Sequence, residues 1–192
     1  MKKTAETKVP LLSEIAERWS PRAYDSSYEL TKEELLAVLE AGRWAPSAMN
    51  IQPWRFSVAV RGDELHTKIV AESLSGFNAA WAPNASAIIF ISTKNVTPEG
   101  KPYPIAMFDA GLAAQSMMIQ AQALGLATHP ISGYNHGVAA EILGLEEGRV
   151  SVAAIVLGKS TDPSTLSEAA QEREVAPRTR LSLEEIVLHG LN

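Results

Sequence analysis

Cysteine is absent from this chain of 192 residues, and positive charge is scarce. Without cysteine the protein has no disulfide, no thiolate metal ligand and no cysteine nucleophile. Lysine and arginine number 17 against 22 acidic residues, which gives a net charge of −5. Bulk electrostatics therefore favour neither nucleic acid nor an anionic membrane, and we expect neither as a partner.

Several nucleotide-binding and hydrolase signatures are also missing. No Gly-x-Gly-x-x-Gly follows a strand pattern, no P-loop motif occurs, and Gly-x-Ser-x-Gly is absent. The sequence therefore supports neither a Rossmann dinucleotide site nor the signature of a serine hydrolase. Whatever chemistry the chain performs must come from other groups.

The composition is that of a single globular domain. Hydrophobic residues make up 46% and charged residues 20%, and this length is enough for one α/β-sized domain with its own core. We expect residues 1–10 to form a flexible N-terminal tail and residues 11–192 a single domain. The first residues are charged and lack an apolar stretch, unlike a signal peptide, so we predict a cytoplasmic protein.

Hydrophobic periodicity predicts alternating helices and strands. Thr31 with Glu34 matches a capping box at the start of a helix that ends near Gly42. The apolar run 88–91 is typical of a strand buried on both faces. Strands are predicted at 56–60, 85–92, 127–131 and 150–158, and further helices at 11–18, 62–74, 105–124, 137–143 and 182–189. The segment 161–176 is polar and predicted to be irregular.

The predicted helix 105–124 is small or apolar on every side. Such a helix must be covered all round, and in a chain of this size we expect a second subunit to provide the cover. A membrane span is the alternative, because the stretch approaches 20 residues. Polar residues within it argue against that alternative: Asp109, Gln115, Gln120 and Gln122.

Two arginine-bearing segments stand at opposite ends of the chain, Arg18-Trp19-Ser20-Pro21-Arg22 and Arg178-Thr179-Arg180. Guanidinium groups offer charge together with paired donors, which suits a phosphate. Alternate residues of an extended segment point the same way, so Arg178 and Arg180 can face one ligand. The alternative is a solvated helix end and structural salt bridges.

Polar groups also cluster in the loop that Pro46 and Pro53 bracket. Ser47, Asn50 and Gln52 offer hydroxyl and amide groups that can read a polar ring edge, and the prolines stiffen the segment. A plain polar loop between helix and strand is the alternative. The adjoining Trp54 and Phe56 are predicted to be core residues.

The segment 128–134 follows a predicted strand, and Ser132-Gly133 could present backbone N–H groups to a ligand because glycine permits close approach. A simple turn is the alternative. The spacing of His129 and His136 matches no common metal site, so we predict no metal. His66 and His189 are predicted to lie at the surface. Together the two arginine clusters and the polar loop predict a site for a flat, phosphorylated cofactor.

These motifs, in this order, resemble the nitroreductase family of FMN-dependent oxidoreductases over about residues 18–181. The matching segments are Arg18-x-Ser20-x-Arg22, Pro46-Ser47-x-x-Asn50-x-Gln52-Pro53-Trp54, Phe77-Asn78, Pro130-Ile131-Ser132-Gly133 and Arg178-x-Arg180-Leu181. The resemblance implies an α+β fold with a central mixed β-sheet flanked by helices, in an intertwined homodimer with FMN at the subunit interface.

The resemblance also implies roles for individual residues. Arg18, Ser20, Arg22, Arg178 and Arg180 would hold the phosphate and ribityl chain, with Trp19 contributing backbone. Ser47, Asn50 and Gln52 would come from the partner subunit, and Asn78 would meet the pyrimidine edge. The backbone of Pro130, Ile131, Ser132 and Gly133 would lie against the ring near N5. Two departures bear on the flavin: Trp81 stands where the family often has lysine, and Ser132 where it often has an acid.

The activity that the resemblance implies is transfer of a hydride from NADH or NADPH, through flavin N5, to an electron-poor acceptor such as a nitroaromatic or a quinone. One pocket serving both substrates in turn predicts ping-pong kinetics, and no catalytic side chain is assigned because the cofactor carries the chemistry. The alternatives are a specialised enone, aldehyde or flavin reductase on the same fold, a non-catalytic FMN-binding dimer, and a colourless protein-interaction dimer.

Overall fold

A computed structural model describes residues 3–190 of the chain. The described residues form a four-stranded sheet with helices on both faces. The strands are β1 (Trp54–Val60), β2 (Ala87–Lys94), β3 (Ala127–Ile131) and β4 (Arg149–Gly158). The helices are α1 (Ser13–Glu17), α2 (Lys32–Arg43), α3 (Glu64–Lys68), α4 (Gly76–Ala79), α5 (Ala106–Ala123), α6 (His136–Ile142), α7 (Glu168–Val175) and α8 (Leu183–Ile186).

The sheet has the order β1-β2-β4-β3, and every neighbouring pair is antiparallel. The predicted α+β class is confirmed, but the predicted mixed pairing is not found within the described residues. The connection β2–α5–β3 does join two strands that run in the same direction. β4 lies between those two strands, however, so they never pair with each other.

Strand β2 is buried on both faces, as its apolar run predicts. Its residues alternate between two cores because successive side chains of a strand point to opposite faces. Ile88 and Phe90 join one core, and Ile89 and Ile91 join the other. All four are at most 1% exposed. The first core also contains Trp81, and the second is covered by α2 and α5.

Helices α2 and α5 pack closely because Gly42 presents no side chain at their contact. A Cβ at Gly42 would lie 2.2 Å from Met117 Cε and 3.1 Å from Phe56 Cζ. The capping box of Thr31 and Glu34 is present at the start of α2, as predicted. In the single chain, α5 leaves Met107 and Phe108 more than half exposed. Among the residues described, no helix is both long and apolar enough to cross a membrane.

Three local predictions were wrong. The segment predicted to be irregular contains α7, whose polar composition conceals a buried side formed by Ala170 and Glu174. The helix predicted over 62–74 ends earlier as an α-helix and continues as a π-helical turn, Ile69–Ser73. His66 is only 6% exposed rather than at the surface. In the first and third cases tertiary contacts decide burial that the local composition does not reveal.

We expect the substitution Gly42→Ala to destabilise the protein by about 1–3 kcal/mol, the usual cost of overpacking a core, because Met117 and Phe56 must both move. The measurement is the free energy of unfolding in denaturant. Gly137→Ala is the matched control, since its added Cβ would make only an ordinary contact of 3.6 Å. Equal stability of the two variants would contradict a tight contact between α2 and α5.

Candidate functional site

A basic cleft of about 230 Å³ brings the two arginine segments together. It lies where the chain before Ala23 meets the segment that follows α7. Every predicted phosphate residue lines it, along with two cations that the sequence did not single out, Lys3 and Arg173. The lining comprises Lys3, Arg18, Trp19, Ser20, Arg22, Arg173, Ala176, Pro177, Arg178 and Arg180. Residues about 160 positions apart in sequence thus form one site.

Glu174 fixes the geometry of the first arginine segment. Its carboxylate is 1% exposed and accepts hydrogen bonds from the backbone N–H groups of Arg22, at 2.9 and 3.0 Å, and Ala23, at 3.2 Å. It also lies 3.7 Å from the Arg22 guanidinium. A buried carboxylate is retained only when it is paired and hydrogen-bonded in this way. Its position within the polar segment 161–176 gave no signal in the sequence.

The two ends of the chain are also tied together through Arg178. Its guanidinium donates to the backbone carbonyl of Ala16, at 2.7 Å, and to that of Lys3. Burial, followed by the neighbouring charges of Arg178 and Arg180, lowers the pKa of Arg18. The cleft therefore concentrates positive charge that its own residues do not neutralise, which favours an anionic ligand.

Phe77 joins the cleft to the residues predicted to meet a ring edge. The Arg173 guanidinium lies 4.2 Å from the centre of the Phe77 ring and that of Arg22 lies 5.6 Å away, so two cations share one aromatic ring. The next residue, Asn78, donates its side-chain amide to the backbone carbonyl of Gly133 at 3.1 Å. A Cβ at Gly133 would come within 2.8 Å of that amide nitrogen, so a larger residue there would displace the Asn78 amide from this position.

The predicted turn sits at the end of β3. Pro130 and Ile131 are the last two residues of the strand, and Ile131 is buried. Ser132 and Gly133 follow it and are exposed. The Gly133 N–H donates to no partner among residues 3–190, so it is available to a ligand.

His129 links this turn to the phosphate segment. Its Nδ1–H donates to the Pro21 carbonyl at 2.9 Å, and its ring packs 4.6 Å from that of Trp81. Burial lowers the pKa of His129 from its usual 6.5 to about 4. Trp81 itself is completely buried and also stacks on Tyr24. Trp81, at the position predicted to depart from the family pattern, is therefore part of the core.

The loop between Pro46 and Pro53 has a strained backbone. Met49, Asn50 and Gln52 have φ values of 52°, 55° and 50°, the only positive ones outside glycine in the part of the chain described. Such strain persists only where surrounding contacts impose it, and it clusters at functional sites. The Ser47 hydroxyl accepts from the Gln52 N–H at 3.0 Å, which closes the loop on itself.

Tyr103 anchors this loop to helix α5. Its buried hydroxyl donates to the Asp109 carboxylate at 2.5 Å and lies 3.0 Å from the Ala48 carbonyl. Desolvation and the hydrogen bond to Asp109 raise the pKa of Tyr103 to about 12, so the hydroxyl stays protonated. The sequence did not single out this pair, because its two members become partners only through the turn before α5.

The predicted site residues fall into two groups within one chain. The cleft and the turn are joined through Phe77 and through His129. Ser47, Asn50 and Gln52 neither line the cleft nor hydrogen-bond to either part. Among the described residues no cluster of three His, Asp or Glu could hold a metal ion. The fold and the site define an α+β protein with a cationic cleft beside an exposed backbone donor.

Comparison with known proteins agrees with this class. The model of the nitroreductase family matches residues 15–87 and 70–159. A relative in Bacillus subtilis, provisionally named an NAD(P)H nitroreductase, is 31% identical over 76% of this chain and 86% of its own length. The oxygen-insensitive NADPH nitroreductase of Helicobacter acinonychis is 33% identical over 76% of this chain and 67% of its own.

A solved structure described as an oxidoreductase containing FMN superimposes with a TM-score of 0.90. It is 37% identical in sequence and covers 96% of this chain and 94% of its own. The chain belongs to the nitroreductase family. The resemblance seen in the motifs is thereby confirmed.

We expect acid to destabilise the protein through His129. Because the pKa of this group in the folded state lies below its unfolded value, its contribution is complete above about pH 6.5 and is lost as pH falls toward 4. Between pH 7 and pH 5 the loss is about 2 kcal/mol. The measurement is the free energy of unfolding at both pH values.

The variant His129→Gln should lose much of this dependence on pH. Part of the pH dependence of the free energy of unfolding should remain, because burial also lowers the pKa of His66. His189→Gln, at an exposed position, should behave like the unmodified protein. An unchanged slope in His129→Gln would show that this histidine is not buried in its neutral form.

Proposed function

We propose that this protein is an FMN-dependent oxidoreductase that takes electrons from NADH or NADPH and passes them to an electron-poor acceptor, a nitroaromatic or a quinone. The observation that carries the proposal is the basic cleft joined directly to the exposed turn Ser132-Gly133. One end suits a phosphate, and the other suits a polar ring edge. The relatives named above, one an NADPH nitroreductase and one an oxidoreductase containing FMN, support the proposal.

The cleft fits the phosphate of FMN in charge. Five arginines and Lys3 line it, and the Glu174 carboxylate beneath Arg22 offsets only one of these charges. The Arg22 Nε is buried without a hydrogen-bond partner among the residues described. An orphaned buried donor beside unneutralised guanidinium groups is stabilised when an anion enters. Arg18, Ser20, Arg22, Arg178 and Arg180 would hold the phosphate and ribityl chain, with Arg173 as an additional cation.

The ring would lie against the turn. The Asn78 amide, already oriented by the Gly133 carbonyl, would meet the pyrimidine edge, and the Gly133 N–H would face the ring near N5. FMN supplies two-electron transfer between donor and acceptor when it is bound. The residues of the chain bind and orient it and exclude water, and no side chain is assigned as acid or base. A single pocket used in turn by donor and acceptor gives ping-pong kinetics.

The absorption spectrum of the purified protein tests the proposal first. We expect yellow protein that bleaches under anaerobic conditions with NADPH or NADH and regains its colour with a nitroaromatic or a quinone. Bound flavin without bleaching would instead indicate a non-catalytic FMN-binding dimer. Turnover confined to enones, aldehydes or free flavin would indicate a specialised reductase. Protein that remains colourless after incubation with FMN would contradict the assignment of the site.

The variant Arg180→Gln tests the phosphate end of the site. Among residues 3–190 the exposed Arg180 guanidinium donates to no group except the adjacent Thr179 carbonyl, so the fold should not depend on it. Losing a charged hydrogen bond to phosphate should weaken FMN binding about 10- to 100-fold, as measured by fluorescence titration. Lys68→Gln is the control, because the exposed Lys68 pairs with Glu64 away from the cleft and from the proposed interface. Equal affinity in both variants would remove Arg180 from the site.

We include a homodimer in the proposal because of the second group of site residues, those of the loop between Pro46 and Pro53. Ser47, Asn50 and Gln52 are held rigidly but lie outside the cleft of their own chain, so they would complete the site of a partner subunit. Large apolar side chains near this loop are exposed, a common mark of an interface. They are Trp44 at 73%, Met49 at 80%, Met107 at 52% and Phe108 at 67%.

The variant Phe108→Glu should therefore produce a monomer, because a charge in the middle of the interface cannot be desolvated without a partner. Sedimentation velocity measures the mass of the protein in solution. If the variant is a monomer, the absorbance of its bound flavin should also be lower. Val96→Glu is the control, because it also replaces an exposed apolar side chain by a charged one, at a loop position 42% exposed. It should leave the mass unchanged. A monomeric unmodified protein with full flavin content would contradict a site shared between subunits.

A further inference from the structure

The first described residues of the chain lie against the basic cleft. Lys3 lines the cleft, and Lys3 and Ala5 are both half-buried, whereas the segment 6–12 is exposed. Lys3 also lines a neighbouring cleft of about 160 Å³, so its side chain stands at the boundary between the two. We call residues 3–5 the strap.

Backbone contacts tie the strap to the end of helix α1. Carbonyl groups in the last turn of a helix have no partner within the helix. The Ala16 carbonyl accepts instead from the Ala5 N–H, at 2.8 Å, and from Nη1 of Arg178, at 2.7 Å. The same Nη1 also donates to the Lys3 carbonyl. One nitrogen of Arg178 therefore holds the strap, and its other nitrogens have no hydrogen-bond partner within the described part of the chain.

The Lys3 side chain contacts both arginine-bearing ends of the chain. Its ammonium group donates to the Ala176 carbonyl at 2.6 Å and lies 4.6 Å from the centre of the Trp19 ring, a distance at which an aromatic face attracts a cation. Trp19 belongs to the first arginine segment, and Ala176 lies just before the second. Because an ammonium group carries three N–H donors, Lys3 keeps donors for a ligand in the cleft.

The charge of Lys3 is surrounded by other cations. Burial lowers the pKa of Lys3, and the charges of Arg22 and Arg178 lower it further, while Glu174 acts in the opposite direction. None of the ion pairs found within residues 3–190 includes Lys3. A phosphate in the cleft would supply this ammonium group with the negative charge that it lacks.

The strap is held by few contacts. Within the described residues only the three hydrogen bonds given above join it to the rest of the protein, and it contains no large apolar side chain. A segment with so few buried contacts opens locally at a small cost in free energy. A phosphate bound to Lys3 would add a contact that holds the strap closed.

We propose that Lys3 is a further phosphate-binding residue, and that the strap closes on the phosphate of a bound ligand and must open before that ligand leaves. This inference rests on the proposed function for the identity of the ligand, FMN. Lys3 recognises a phosphate monoester, so riboflavin, which has the same ring system without the phosphate, does not engage it. Lys3 lies outside the family motifs and before the residues that the family model matches.

The comparison of FMN with riboflavin tests the role of Lys3. In Lys3→Gln the affinity for FMN should fall about tenfold, as expected for one hydrogen bond to a charged group, and the affinity for riboflavin should stay the same. Fluorescence titration measures both. Lys3→Arg keeps a charged donor and should retain most of the preference for FMN. Lys8→Gln is the matched control, because Lys8 lies in the same segment but does not line the basic cleft; it should change neither affinity.

Amide hydrogen exchange tests the strap without any flavin. The Ala5 N–H, which donates to the Ala16 carbonyl, should exchange more slowly when inorganic phosphate is added to the FMN-free protein, and chloride at the same ionic strength should have no such effect. The effect of phosphate should disappear in Lys3→Gln. In the flavin-bound protein, FMN should slow this exchange and riboflavin should not.

An unchanged affinity of Lys3→Gln for FMN would overturn the inference. An equal loss of affinity for FMN and for riboflavin would also overturn it, because Lys3 would then support the fold and not the phosphate. An Ala5 exchange rate that neither phosphate nor FMN alters would overturn the closure of the strap. An unmodified protein that binds neither flavin would count against the proposed function, and the exchange experiment with inorganic phosphate would still decide the role of Lys3.

Discussion

The buried carboxylate of Glu174 is the interaction on which the site depends. It accepts from two consecutive backbone N–H groups, those of Arg22 and Ala23, about 150 residues earlier in the chain. A buried charge without these donors would cost several kcal/mol, so the fold holds the N-terminal arginine segment and the C-terminal segment in one arrangement. The cleft exists because this contact closes it.

The arginine side chains of the cleft repel one another. Guanidinium groups crowd around a single acid, and burial together with neighbouring charge lowers the pKa of Arg18, Arg22 and Arg178. Glu174 offsets part of this charge. Because it is buried beneath Arg22, however, it cannot neutralise the guanidinium groups that face the cleft. The crowded guanidinium groups thus reduce stability locally, as is common at functional sites.

Rigidity is distributed unequally over the site. The Asn78 and His136 side chains hydrogen-bond to the Gly133 and Ser132 carbonyls of the turn after β3, whereas Tyr103 anchors the loop from Ser47 to Gln52 through the Ala48 carbonyl. Both present polar groups outward from an ordered frame. The exposed apolar residues beside this loop, among them Trp44 and Met49, form the surface that the proposed second subunit would cover.

The sequence by itself determined the β-strands, the capped helix α2, the burial of β2 and most residues of the cleft, because periodicity, capping and short motifs are local signals. It did not determine the antiparallel pairing, which depends on β4 entering between two strands. The burial of Glu174 and His66, the stacking of Arg173 on Phe77 and the two carbonyls around His136 were decided only by the tertiary structure. These arrangements depend on elements that meet only after folding, and no local pattern records which backbone group a side chain will meet.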